Sequence, residues 1–239
     1  MRAEQSRAEQ SRAEQSRAPE IDIAKGIGML LVVFGHLSNR RQVLRILTYS
    51  FHMPLFFIIS GFLLDMKKTW QQSIKKDSLK LILPAYEVLI FDAIVSILKY
   101  MMVGDVAKPL IFDWMKGVLL YGGVLWNSPV WFLMTLFLCK YVFIYCHQLH
   151  PTLPYILAVF CAGFNCTGMN VSFPSWWLFN VVMAFPFFAM GVLAKCMCRK
   201  RMVSFKSRMS IPLTALWIVL SLYNGYTDIH IQMNGKNYL

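Results

Sequence analysis

The sequence predicts an all-α protein, a polytopic transmembrane helical bundle with about seven membrane spans. Three observations predict it. Of the 239 residues, 57% are hydrophobic and only 15% are charged, with a mean hydropathy of +0.49. That balance lies outside the range of ordinary soluble domains. The apolar residues gather in runs at intervals, several of them as long as a bilayer-crossing helix. The basic residues behind the formal charge of +12 sit between those runs rather than in one patch. This reads as positive-inside topology and argues against a nucleic-acid partner.

Residues 1–20 are a polar tail in which Arg-Ala-Glu-Gln-Ser repeats three times before a fourth copy breaks at Pro19. A five-residue period advances about 500° around a helix, so no residue type lines one face and no coiled-coil seam forms. A disordered tail is expected. The membrane domain is expected over residues 21–226. Its first span runs from Ile21 to Leu37 and its second from Ile46 to Leu64, broken near Pro54, which has no backbone N–H to donate. The third is Leu81 to Val103, the fourth Val130 to Tyr145 and the fifth Leu153 to Phe164. Trp176 to Ala194 and Ile211 to Tyr223 complete the set.

Orientation follows from the loops. Lys67, Lys68, Lys75, Lys76 and Lys80 lie between spans two and three, and Lys195, Arg199, Lys200, Arg201, Lys206 and Arg208 between six and seven. Both loops are expected to be cytoplasmic, which places the amino terminus on the cytoplasmic side of the cell membrane as well. Trp126, Trp131, Trp176, Trp177, Tyr223 and Tyr226 then form an outer aromatic belt. Gly104 to Ser128 would be an outer segment, with an amphipathic stretch from Phe112 to Leu120 that lies on the membrane surface. Arg40, Arg41 and Arg45 go against the charge rule, since they are expected in the outer loop between spans one and two. Either they bind an anionic group or cover the functional face, or the rule, which sums over loops, tolerates them. Six cysteines fall mostly within or beside apolar runs and read as packing residues. No metal is expected, because Cys196-Met-Cys198 lacks a second ligand pair at metal-site spacing.

The first span carries the most chemistry. Eleven residues at about 100° each return to within roughly 20° of the starting direction, so Lys25 and His36 share a helix face about 16 Å apart. Asp22 stands one turn before Lys25. Gly26, Gly28 and Gly35 strip side chains from this helix and suggest close approach by another helix or a ligand. Read without function, Lys25 snorkels to the headgroups and His36 ends the helix.

Lys25-x10-His36, followed by Phe-His-Met-Pro-Leu-Phe-Phe-Ile-Ile-Ser-Gly-Phe-Leu over residues 51–63, resembles the acyltransferase-3 family of integral-membrane O-acyltransferases. It looks closest to the branch that acetylates sugars. Leu83-Pro-Ala-Tyr86, Pro129-Val-Trp-Phe-Leu133 and the stretch from Phe185 to Gly191 are weaker echoes, so the resemblance covers Glu20 to the end of the chain. Many family members carry arginine where this chain has Lys25, which keeps the charge and loses the planar fork. The resemblance implies transfer of an acetyl or other acyl group from acyl-coenzyme A, on the cytoplasmic side, to a hydroxyl of a carbohydrate or lipid-linked glycan. It implies no bound cofactor. Because the family has about ten helices, residues 227–239 are expected to be the remnant of a longer domain.

Such a transfer needs a base for the hydroxyl proton and donors for the oxyanion that forms. His36 and His52 are the candidate catalytic residues, with His36 as base or acyl relay. Asp22, Lys25, Arg40, Arg41, Arg45, Ser60 and Lys76 are candidate donor- or substrate-binding residues. For His52 a core histidine bonded to a backbone carbonyl is the competing reading. For Ser60-Gly61 it is close helix packing. Glu87 and Asp92, in span three, are expected to pair with Lys25, Arg45 or a histidine. Two other function classes fit the same residues: a membrane transporter or channel component, and an inactive truncated acyltransferase.

Overall fold

The computed structural model describes residues 19–37, 42–66, 71, 74, 77–103, 130–166, 176–199, 218–219, 227–228 and 233–234. These form α1 (Pro19–Leu37), α2 (Gln42–Phe62), a π-helical turn (Ser78–Ile82) leading into α3 (Leu83–Val103), α4 (Val130–Leu149), α5 (Leu153–Cys166) and α6 (Trp176–Arg199). A two-residue antiparallel ladder pairs β1 (Thr227–Asp228) with β2 (Met233–Asn234). That ladder falls in the stretch expected to be a helix-bundle remnant. The architecture is otherwise helical, as the apolar runs predict. Val130–Leu149 and Leu178–Cys198 are long and apolar enough to cross a membrane, with mean hydropathies of 1.6 and 1.9. Ile46–Phe62 and Leu153–Asn165 are shorter apolar helices. Span seven and the amphipathic stretch at Phe112 to Leu120 lie outside the described residues, apart from one helical fragment at 218–219.

Several boundaries move. The first helix begins at Pro19, two residues inside the expected tail, because proline suits the first turn, where no helical partner waits for an N–H. The second begins at Gln42, so Arg45 belongs to its first turn and not to a loop. It also runs through Pro54 without the expected break. In the turns before the proline, Ser50 Oγ donates to the Leu47 carbonyl at 3.0 Å and His52 Nδ1 to the Thr48 carbonyl at 2.6 Å. These side chains add polar contacts in the turn whose backbone bonding the proline disturbs. Helix α6 continues to Arg199, carrying Lys195 with it. Counting charge alone had assigned that lysine to a loop.

Contacts along the helices fix their relative directions. Gly28 of α1 abuts Leu55 and Phe56, and Gly35 abuts Thr48 and Tyr49, so α1 and α2 are antiparallel. Met53 packs on the cluster of Trp131, Phe179 and Met183, Gly61 crosses α6 at Phe188 to Val192, and Lys195 Nζ donates to the Leu64 carbonyl at 2.6 Å. The numbers rise together, so α2 and α6 are parallel. Cys139 lies against the Val181 carbonyl and Phe143 against Phe185 and Phe188, which makes α4 parallel to α6. Helix α5 is antiparallel to α6, as Asn165 meets Val182 and Tyr155 meets Cys196. Helix α3 is antiparallel to α4: Ala85 and Leu89 pack with Met134 and Val130, and Asp77 meets Lys140.

The core lies between α2, α4, α5 and α6, where Phe57, Cys139, Phe143, Cys161, Phe185 and Phe188 are buried. Its tightest point is the crossing of α2 and α6. A Cβ on Gly61 would collide with the Phe188 carbonyl, and one on Gly191 with the Ile58 carbonyl. Each helix therefore offers bare backbone to the other, the packing by which small residues let helices approach in apolar surroundings.

Candidate active site

The site is built on the antiparallel pair α1 and α2. The glycines of α1 that face α2 are Gly28 and Gly35, seven residues and almost two turns apart. Gly26 is different: among the described residues a Cβ there would meet nothing within 4 Å, so it takes no part in this helix contact. At Gly35 the missing side chain admits Thr48 and Tyr49, and these same residues hold His52. The His52 ring is 1% exposed, stands edge-on to Tyr49 at 5.0 Å between centroids, and donates from Nδ1 to the Thr48 carbonyl. A carbonyl can only accept, so Nδ1 carries a proton and the lone pair of the neutral ring belongs to Nε2. His36 follows Gly35 in the last turn of α1, next to that contact, and His52 stands one turn along α2 from Thr48. The His36 side chain lies outside the described residues.

At the opposite end of the same helix pair, Lys25 Nζ lies 3.4 Å from Asp22 Oδ1, one turn away as the spacing predicts. Their side chains are 42% and 54% exposed. A pair so accessible contributes about 1 kcal/mol or less to stability, which leaves the ammonium available to another anion. Ser60 is half-buried, and its neighbour Gly61 makes the close crossing with α6, as the packing reading of Ser60-Gly61 anticipates. Glu87 is exposed on α3, and the described partner of Lys25 is Asp22 rather than an acid of span three. Arg40, Arg41 and Lys76 lie outside the described residues, as do the side chains of Arg45 and Asp92.

One polar cluster was missed by sequence reasoning. Lys140 Nζ lies 2.5 Å from Asp77 Oδ2, and the Tyr141 hydroxyl donates to the same oxygen at 2.8 Å. The signal was present, since Lys140 is the lysine in an otherwise apolar run and Asp77 the acid in a run of lysines. An ionisable residue deep in an apolar helix demands a named partner.

The acyltransferase-3 family model, described as an acyltransferase domain, matches residues 19–238. No curated protein and no solved structure matches the chain.

Proposed function

Because the chain belongs to the acyltransferase-3 family, we propose that it is a multi-pass membrane enzyme moving an acyl group, such as acetyl, from acyl-coenzyme A to a hydroxyl of a carbohydrate or lipid-linked glycan. The structural observation that supports this reading is the meeting of α1 and α2 where Gly35, next to His36, abuts Thr48 and Tyr49, the residues that hold the buried His52 ring. His36 is the base. It takes the acceptor hydroxyl proton, the oxygen attacks the thioester carbonyl, and the tetrahedral oxyanion collapses with cleavage of the carbon–sulfur bond. The proton held on His36 then passes to the departing thiolate. His52, sealed from substrate, is a positioning residue that fixes the turn of α2 against which α1 rests. Lys25, exposed at the other end of α1, meets donor phosphates some 16 Å from the base, a span that a long coenzyme can bridge.

The alternating helix directions support a chain that crosses the bilayer repeatedly, with the amino terminus and the lysine-rich loops on the cytoplasmic side where the donor resides. Incubating the purified chain with radiolabelled acetyl-coenzyme A and glycan acceptors tests the proposal. Acetylated glycan is the expected product. Flux of substrate across vesicles without modification would point to a transporter instead.

A further inference from the structure

The cluster of Asp77, Lys140 and Tyr141 has a form that helix packing alone does not require. Lys140 is the eleventh of the twenty residues of α4, so its ammonium lies near the middle of a helix long and apolar enough to cross a membrane. Removing charges from water is expensive there, and an apolar contact would hold α4 to the start of α3 at lower cost. Lys140 and Tyr141 are adjacent and leave the helix about 100° apart, yet both reach one carboxylate oxygen. That oxygen therefore sits in the notch between two converging donors, where an anion is held. The notch is accessible: the Lys140 and Asp77 side chains are 23% and 16% exposed.

Asp77 immediately precedes a π-helical turn that begins at Ser78; its own backbone is already helical (φ −75°, ψ −36°) and its side chain makes no capping hydrogen bond, so the carboxylate is directed at Lys140 and Tyr141. A π-helical turn is a distortion that recurs at functional sites.

We infer that Lys140 and Tyr141 form a subsite for a phosphate group, whose place the Asp77 carboxylate takes in this structure and yields when a phosphate-bearing ligand arrives. The inference rests on the acyl-transfer reading for one source of that phosphate, the coenzyme part of the donor. The other source with the same chemistry is a phospholipid headgroup.

The test is binding of unacylated coenzyme A to the purified full chain in neutral detergent, with retention of phosphatidylglycerol in nanodiscs as the lipid arm. Asp77→Asn removes the internal competitor and should tighten coenzyme A binding about tenfold. Lys140→Met keeps the apolar stem, loses the donor and should weaken binding about tenfold or more. Should Lys140→Met fail to fold because Asp77 is left unpaired, the double variant Asp77→Asn/Lys140→Met removes both charges and should bind as weakly. Opposite signs for Asp77→Asn and Lys140→Met are the signature, because a merely structural pair would move binding the same way from either side. The same opposite pattern for phosphatidylglycerol, without coenzyme A binding, keeps the subsite and assigns it to lipid. Equal signs, unchanged affinities, or a wild-type chain that binds neither probe overturn the inference. Coenzyme A binding with the expected signs but no acyl transfer leaves the subsite standing and sinks the proposed activity.

Discussion

The two ends of α1 should separate in kinetics. His36→Ala should cost mainly turnover, about 10²- to 10⁴-fold or roughly 3 to 5 kcal/mol, as expected for loss of a general base. Lys25→Ala should raise the Michaelis constant for the donor and leave turnover less affected, since a phosphate contact remote from the bond change stabilises ground and transition states alike. Lys25→Arg should be tolerated. Steady-state rates corrected for membrane abundance decide these, and near-normal turnover in His36→Ala would return that residue to a structural role. For His52→Ala, loss of a buried ring should lower the melting temperature of the purified chain. An unchanged melting temperature would contradict its place between Tyr49 and Thr48. Residue types and spacing made the Asp22 to Lys25 pair legible. They could not reveal that Lys140 meets Asp77, because that pairing depends on which helices become neighbours across 63 positions.

Among the helices, the glycines make a graded series. Gly61→Ala and Gly191→Ala should each destabilise strongly, because the new methyl meets fixed backbone and the two helices must move apart. Gly28→Ala should be milder, since its nearest obstacle at 3.0 Å is the far edge of the Phe56 ring. Gly26→Ala should be neutral or gain about 0.5–1 kcal/mol, as alanine favours helix and the space is open. Thermal melting in detergent ranks the four, and a Gly61→Ala protein as stable as Gly26→Ala would refute the crossing. Hydrophobic runs located all six described helices, because apolar periodicity is a local property. Their ends were less legible: Arg45 and Lys195 look like loop residues until a tertiary contact, such as that of Lys195 with Leu64, gives the charge a place inside a helix.

At the scale of the whole molecule, the parallel set α2, α4 and α6 and the opposing set α1, α3 and α5 carry a topological consequence. A reporter fused after Leu149 should lie on the same side as one fused after Lys200, the cytoplasmic side, and one near Ser172 outside. Alkaline phosphatase and green fluorescent protein fusions would read this, and opposite sides for the first two would break the proposed path through the bilayer. Charge clusters imply this alternation only loop by loop. The structure arrives at compatible directions from side-chain contacts, through residues whose charge plays no part, such as Gly35, Met53 and Phe143.

The hydrogen bond from Lys195 to the Leu64 carbonyl closes a loop of 131 positions. During synthesis at about 5–20 residues per second, the Leu64 carbonyl just beyond α2 therefore waits on the order of ten seconds for its lysine. Gly61 waits as long for the backbone of α6. Throughout that interval α2 and the residues just after it present a bare glycine face and an unpartnered carbonyl to whatever surrounds the nascent chain, which gives an insertion chaperone time to act there.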